Sequence, residues 1–224
     1  MKARNRIFAI AAIALAATFF ACQREGEKAD SVDVQPPQAE AAQVAVADQV
    51  PYSTMIRVKT SMGDITIELL PDAAPKTVAN FQKLVREGFF DGLIFHRVIP
   101  DFMIQSGGHT PDMGKKASKV IGANEADVAK SRGLLNTRGT ISMAYVPGDP
   151  FGASSQFFIN VKHNKNLDFK EKSLMDYGHC PFGKVVAGMD VVDKISKVQT
   201  KKINEYADVP VQPVLILKAE EIKK

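Results

Sequence analysis

A short run of the sequence places hydrogen-bond donors next to apolar side chains. Residues 95–108 contain Arg97 and Gln105 together with Phe102 and Met103. Side chains alternate between the two faces of a strand, so Gln105 is predicted to share a face with Met103. The same alternation predicts two further pairs: Phe95 with Arg97, and Phe102 with Ile104. An arginine, a glutamine, a phenylalanine and a methionine within nine residues therefore give hydrogen-bond donors beside an apolar floor. The alternative interpretation is an amphipathic hairpin whose Arg97 faces solvent.

Other reactive patterns in the sequence are incomplete. Residues 108–116 look like a phosphate loop, but five residues separate its two glycines where four are needed, and Lys116 stands where Ser or Thr is required. The four histidines lack metal-ligand spacing, so we expect neither a metal site nor a cofactor. Cys180 beside His179 could suggest a thiol nucleophile, but a small thiol in this apolar context favours a core residue.

The charge balance does not favour a nucleic-acid-binding protein. Three of the 29 basic residues lie within residues 1–21, which hold no acidic residue, so the remainder carries 26 basic against 25 acidic side chains. A nearly neutral domain lacks the basic surface that phosphate-backbone binding requires, and we expect no nucleic-acid partner.

The N-terminus has the organisation of an export signal. Residues 7–20 form an apolar run of 14, shorter than the roughly 20 residues that span a membrane. The following Ala21-Cys22 resembles a bacterial lipoprotein signal, which implies removal of residues 1–21 and lipidation of Cys22. An ordinary cleaved signal with an incidental cysteine is the alternative. Residues 22–51 contain no aromatic residue, so we expect a flexible, lipid-anchored linker before a folded domain at 52–224.

Short strands are the elements that must position the donors. Residues 55–60 and 65–70 alternate as a hairpin, and further strands are predicted over 94–98, 102–105, 140–144, 156–161 and 211–221. Apolar residues at helical spacing predict one helix after Pro75, ending at Gly88, and a second over 188–197. This pattern predicts a mainly β fold, a closed antiparallel barrel capped by two α-helices.

Four blocks of the sequence resemble the cyclophilins, the peptidyl-prolyl cis-trans isomerases. The first block is residues 95–108, and it is followed in order by residues 139–144, 152–159 and 182–185. The resemblance covers the chain from about Met55 to Glu221. It implies an eight-stranded barrel and an enzyme that accelerates rotation about X–Pro peptide bonds.

The resemblance also implies roles for individual residues. Arg97 corresponds to the catalytic arginine and Gln105 to the glutamine that positions it. Substrate binding is implied for Phe102, Met103, Phe158 and Leu167 in a proline pocket, for Ala144 and Gln156 in the neighbouring groove, and for His179 at its rim. Tyr145 and Asn166 depart from the family pattern. Asn166 replaces an aromatic residue, which predicts weak binding of cyclosporin, an inhibitor of many family members.

The implied function is the folding of proteins in a bacterial cell envelope. The partners would be flexible or unfolded proline-containing polypeptides, and the enzyme would be a monomeric domain held on a membrane by its N-terminal lipid. Two other classes stay open. One is a proline-peptide binding module or holdase chaperone with negligible turnover, and the other is a cell-surface adhesin. Retention of Arg97 alongside the pocket residues favours the enzyme.

Overall fold

The computed structural model describes residues 54–146 and 148–222. The predicted signal peptide, the lipidation of Cys22 and the linker at 22–51 lie outside these residues. Within the described ranges, no helix has both the length and the apolar composition needed to cross a bilayer.

Eight strands form one curled antiparallel sheet. The strands are β1 (Met55–Thr60), β2 (Gly63–Leu69), β3 (Arg97–Ile99), β4 (Met103–Ser106), β5 (Thr140–Met143), β6 (Phe157–Asn160), β7 (Pro181–Ala187) and β10 (Ile216–Glu221). The predicted N-terminal hairpin is confirmed. Of the other predicted strands, β4 has the predicted length but begins one residue later, β3, β5, β6 and β10 are shorter than predicted, and β7 was not predicted.

The sheet does not close, so the predicted closed barrel is not confirmed. The strand order is β10-β1-β2-β7-β5-β6-β4-β3, which leaves β10 and β3 as edges. The segments just before these two strands meet at a bridge between Ile94 and Leu215. Pro100 ends β3 after three residues, and Pro213 keeps β10 from starting at Val211, because proline cannot donate to the ladder. The result is a curled half-barrel.

Within residues 54–146 and 148–222, three α-helices pack against the sheet, rather than the two predicted. Helix α1 (Pro75–Arg86) begins with proline at its first position, and α3 (Met189–Ser196) covers the predicted second helix. The short helix α2 (Ala126–Ser131) was not predicted. Glu125, at its start, accepts hydrogen bonds from the main-chain nitrogens of Lys76 and Thr77, at 3.1 and 2.9 Å, and so caps α1.

One cross-strand row shows how the sheet separates its two faces. Val98, Ile104, Ile159 and Ile141 stand side by side on β3, β4, β6 and β5, and all are buried. The ring of Phe81 from α1 packs in the same core. Because neighbouring positions face the other way, the rows on either side of this one project their side chains away from the core.

A separate two-stranded hairpin lies beside the edge of the sheet. Strands β8 (Thr200–Ile203) and β9 (Tyr206–Pro210) pair across a turn at Asn204, which has a φ of 52°. Strand β9 packs next to β3. This hairpin was not predicted, and it borders the site described below.

Candidate functional site

A cavity of about 540 Å³ opens on the face of β3, β4 and β6 opposite the core row. It brings together every residue predicted to be catalytic or substrate-binding: Arg97, Phe102, Met103, Gln105, Ala144, Gln156, Phe158, Leu167 and His179. Five more residues line it: His96, His109, Lys115, Tyr145 and Tyr206.

The register of three strands places the donors and the apolar residues together. Arg97 of β3 stands opposite Gln105 of β4, and Gln105 stands opposite Phe158 of β6. Directly opposed residues share a face, so these three side chains form one row on the cavity side. Met103 is two positions before Gln105 and lines the same cavity, which confirms that predicted pair.

Two predicted face pairs are wrong. Phe95 is fully buried in the core, whereas Arg97 is exposed, because the chain does not enter regular strand geometry until Arg97. Phe102 lies in the turn before β4, after Asp101 with its φ of 55°, and lines the cavity while Ile104 packs in the core. Side chains alternate between the two faces only within paired strands, and both Phe95 and Phe102 lie just before a strand begins.

The apolar part of the cavity has well-packed side chains. Met103 and Phe158 are almost fully buried. The ring of His179 meets that of Phe158 edge-on, with centroids 5.3 Å apart, and stacks on Tyr145 at 4.2 Å. His179 Nδ1 lies 3.0 Å from the carbonyl oxygen of Met143. Burial lowers the pKa of His179, so its imidazole is neutral and extends the apolar surface.

Buried asparagines hold the rim of this apolar pocket, and the sequence interpretation missed them. Asn164 Nδ2 donates to the carbonyl oxygen of Phe102 at 2.9 Å and to Asn160 Oδ1 at 2.7 Å. Asn136 Nδ2 donates to the carbonyl oxygens of Leu167 and His179 at 3.0 and 3.2 Å. A buried asparagine cannot be distinguished by type from one in an exposed loop, so no sequence signal identified them.

The polar partners of Arg97 and Gln105 differ from the expectation. Gln105 faces Arg97 across the strands, but its Nε2 donates to Gln156 Oε1 at 2.8 Å. Arg97 Nε lies 3.7 Å from Asp208 Oδ2 on β9. Asp208 was missed because the hairpin that carries it has no apolar alternation; the turn-forming Asn204 was the one available signal.

Two buried histidines and a tyrosine form the cavity's far end, also unanticipated. The rings of His96 and His109 lie 4.2 Å apart, and Tyr206 Oη lies 3.1 Å from His109 Nε2. Burial lowers the pKa of His96 to about 3, and the neighbouring His109 and Arg97 add to the effect. The pKa of His109 is also lowered, first by burial and then by Lys115. Both rings are therefore neutral near pH 7.

Of the remaining sequence features, Tyr145 belongs to the cavity and the others do not line it. Asn166 is exposed on the 3-10 turn Lys165–Leu167, while Tyr145 lines the cavity. Cys180 is buried, and desolvation raises the pKa of its thiol to about 12, so it is a protonated core residue as predicted. Among the described residues, no group of three or more metal-binding side chains is clustered.

Comparison with known proteins identifies a matching family and named relatives. The model of the family described as cyclophilin type peptidyl-prolyl cis-trans isomerase/CLD matches residues 55–221. Peptidyl-prolyl cis-trans isomerase A of Dickeya dadantii is 48% identical over 172 residues, covering 77% of this chain and 86% of its own length. Peptidyl-prolyl cis-trans isomerase B of Escherichia coli is 49% identical over 162 residues, covering 72% of this chain and 96% of its own.

A solved structure has the same fold at lower sequence similarity. The crystal structure of a Cryptosporidium parvum cyclophilin type peptidyl-prolyl cis-trans isomerase superposes with a TM-score of 0.59, at 23% identity, over 77% of this chain and 99% of that chain. A second structure of the parasite protein, determined in the presence of the dipeptide Ala-Pro, has a TM-score of 0.58, at 23% identity, over 76% of this chain and 99% of that chain.

Proposed function

Because this chain belongs to the cyclophilin-type peptidyl-prolyl cis-trans isomerases, we propose that it isomerises X–Pro bonds in the cavity on β3, β4 and β6. The enzyme class follows from the family and from relatives that carry the same name. The observation that supports this location is the cross-strand row of Arg97, Gln105 and Phe158, which sets a fixed cation and an amide beside an apolar pocket.

Arg97 acts on the imide nitrogen of the substrate. Rotation about the X–Pro bond faces a barrier of about 18–20 kcal/mol, because the nitrogen donates its lone pair into the carbonyl. The lone pair becomes localised on nitrogen only as the bond twists. A guanidinium held nearby donates a hydrogen bond to that lone pair and so stabilises the twisted state more than either planar isomer. No covalent bond breaks, so the site needs no nucleophile.

The apolar residues confine the twist to one bond. Phe102, Met103, Phe158 and Leu167 surround the pyrrolidine ring, and the neutral ring of His179 completes the pocket. On the adjacent side, Ala144 and the Gln105–Gln156 amide pair contact the peptide before the proline. The pyrrolidine ring and the peptide before the proline are therefore held separately, on the two sides of the rotating bond. Binding thus orients the substrate for rotation about that bond alone.

NMR exchange spectroscopy on an Ala-Pro peptide tests this function. We expect the full chain to speed cis-trans exchange well beyond the uncatalysed scale of tens to hundreds of seconds. Phe158→Ala should weaken peptide binding, because it removes the pocket's central ring, with Phe151→Ala, an exposed aromatic that does not line the cavity, as the control. Binding without exchange enhancement would instead support the proline-peptide binding module or holdase.

We further propose that the enzyme is lipid-anchored in a bacterial cell envelope. The support is the sequence: a basic N-terminus, the apolar run at 7–20 and Ala21 before Cys22. One acyl chain binds membranes only marginally, so stable anchoring implies several chains on Cys22. Metabolic labelling with a palmitate analogue should mark the wild type and not Cys22→Ser, while Cys180→Ser should be labelled normally. Equal labelling of Cys22→Ser would exclude the anchor.

The substrates proposed for this location are unfolded or flexible proline-containing proteins of the envelope. Slow X–Pro isomerisation limits the folding of many chains. The enzyme is proposed to act on them as a monomer, because one chain brings together all nine residues to which the sequence assigned a role. Adding the purified enzyme to an exported protein with a proline-limited refolding phase should accelerate that phase, and leave its fast phases unchanged.

A further inference from the structure

The β8–β9 hairpin brings a carboxylate to the arginine of the proposed active site. Asp208 Oδ2 lies 3.7 Å from Arg97 Nε, with 36% of the Asp208 and 44% of the Arg97 side chain exposed. The contact is made to Nε, at the base of the guanidinium. Among residues 54–146 and 148–222, neither terminal Nη nitrogen makes a hydrogen bond. The ion pair therefore engages one nitrogen and leaves the other two available to a substrate.

Contacts on both sides of Asp208 fix its position. Tyr206, two residues earlier, places its Oη 3.1 Å from Nε2 of the buried His109. Val209, the next residue, is itself buried and pairs with Lys201 across the hairpin. A carboxylate on a strand held at two points can orient a long side chain, whereas one on a free loop would have to be ordered at the same time.

Arg97 has no equivalent support from its own sheet. Gln105 stands opposite it, but the Gln105 side-chain amide is engaged with Gln156 at 2.8 Å. An arginine that must hold one geometry loses rotamer freedom, so a partner that prepares this geometry lowers the cost of reaching the transition state. A bound peptide also excludes water from this face, which strengthens the attraction between the two charges.

We propose that Asp208 is the positioning residue for Arg97: the β8–β9 hairpin orients the guanidinium through Nε and so raises the rate of isomerisation without contacting the substrate. This inference rests on the proposed function, since it assumes that Arg97 carries the reaction. The β8–β9 hairpin thereby orients Arg97, which the cross-strand row of Arg97, Gln105 and Phe158 does not do by itself.

The size of the effect follows from the exposure of the pair. Partly exposed ion pairs contribute little, and their measured coupling corresponds to at most about a fivefold change in an equilibrium. We therefore expect Asp208→Asn to lower kcat/KM for an Ala-Pro peptide about two- to fivefold. The peptide Kd and the melting temperature should stay at the wild-type values, because the pocket residues do not change. Asp208→Glu should restore most of the rate.

The matched control is Glu205→Gln on the same hairpin. It removes the same charge from an exposed position that has no ion pair with Arg97. This variant should keep the wild-type rate if the effect of Asp208 comes from orienting Arg97 rather than from the total negative charge of the hairpin. A rate loss in Glu205→Gln equal to that in Asp208→Asn would overturn the proposal.

Two further measurements separate positioning from a structural effect, both on the full chain. The difference in rate between the wild type and Asp208→Asn should shrink as the salt concentration rises, because salt screens a partly exposed ion pair. In an Arg97→Ala background, Asp208→Asn should change the rate no further. A full effect of Asp208→Asn in that background, or a wild-type rate in the single variant, would overturn the inference. If Arg97→Ala itself retains the wild-type rate, the proposed function fails instead.

Discussion

One arginine, one lysine, three histidines and two tyrosines are the titratable residues that line the cavity. Burial keeps the imidazoles of His96 and His179 neutral near pH 7. The sequence identified residues that the structure brings into one cavity, because most of them lie in the four family blocks, and their roles in the reaction stay predictions. It was insufficient for Asp208 and Asn164, whose importance depends on partners more than 60 residues away in the chain.

Stability should fall below neutral pH because His96 is buried in its neutral form. Its pKa is about 3 in the folded state, against 6.5 in an unfolded chain, so the unfolded state binds more protons between these values. The unfolding free energy should therefore decrease as pH falls from 6.5, by up to about 1.4 kcal/mol per unit from this residue. His109 and His179 shift in the same direction. Urea titrations between pH 7 and 5 measure the slope.

The control for this slope exchanges one histidine at a time. His96→Asn should flatten the pH dependence, and the corresponding variants of His109 and His179, whose pKa values burial also lowers, measure the share of each ring. A wild-type slope in His96→Asn would show that another group is responsible.

Cyclosporin affinity should increase when an aromatic residue is restored at position 166. Asn166 is exposed beside Leu167, which lines the cavity, so a tryptophan there has room to cover a hydrophobic ligand. Burying such a ring contributes about 1.5–3 kcal/mol, which is about 10- to 150-fold in Kd. Calorimetric titration of the wild type and Asn166→Trp measures it, and equal affinities would mean that this residue is not the determinant.

At the scale of elements, the sequence predicted strands and helices best where apolar periodicity was strong. The β1–β2 hairpin, α1 and α3 were located within a few residues, because their buried residues follow periods of 2 and 3.6. The β8–β9 hairpin was missed because β8 exposes most of its residues. The closed barrel was not confirmed, because β10 and β3 do not pair as strands and a bridge between Ile94 and Leu215 joins the segments before them, which counting strands does not reveal.

The turn after β4 depends on a glycine at position 107. Gly107 has a φ of 92°, and a Cβ there would overlap the carbonyl oxygen of Ser155. Gly107→Ala should destabilise the protein by more than the roughly 1–2 kcal/mol that a left-handed residue costs by itself. Gly92→Ala is the matched control, since Gly92 has a φ of 78° and open space around its Cβ. Equal decreases of the unfolding free energy in the two variants, measured by urea denaturation, would argue against an overlap with the Ser155 carbonyl oxygen.

The buried asparagines should couple stability to substrate binding. Asn164→Ala removes the donor to the Phe102 carbonyl, and an unpaired buried group costs about 1–3 kcal/mol. Because Phe102 belongs to the pocket, the peptide Kd should rise as well. The control is Thr77→Val, which removes the buried hydrogen bond of 2.8 Å from the Thr77 hydroxyl to Glu125, outside the cavity. This variant should lower the stability and leave the peptide Kd unchanged. An unchanged Kd in Asn164→Ala would show that the pocket does not depend on this link.

At the scale of the whole molecule, the family match and the described residues coincide. The matched region, residues 55–221, contains the sheet, the helices and the complete cavity. Residues 54–224 alone should therefore isomerise a proline peptide with the same kcat/KM as the full chain. Side-by-side NMR exchange measurements on the two proteins test this, and a large loss in the shorter chain would mean that residues 1–53 contribute to the reaction.

The most direct test of the central claim is the exchange rate of an Ala-Pro peptide with Arg97→Ala. Losing a preorganised donor costs about 10²–10³ in rate, so kcat/KM should fall by about two decades or more, while the peptide Kd changes only a few fold. Arg97→Lys should restore little, since an ammonium lacks the planar guanidinium geometry. Arg132→Ala, at an exposed position outside the cavity, should match the wild type. Near-wild-type exchange with Arg97→Ala would contradict the account.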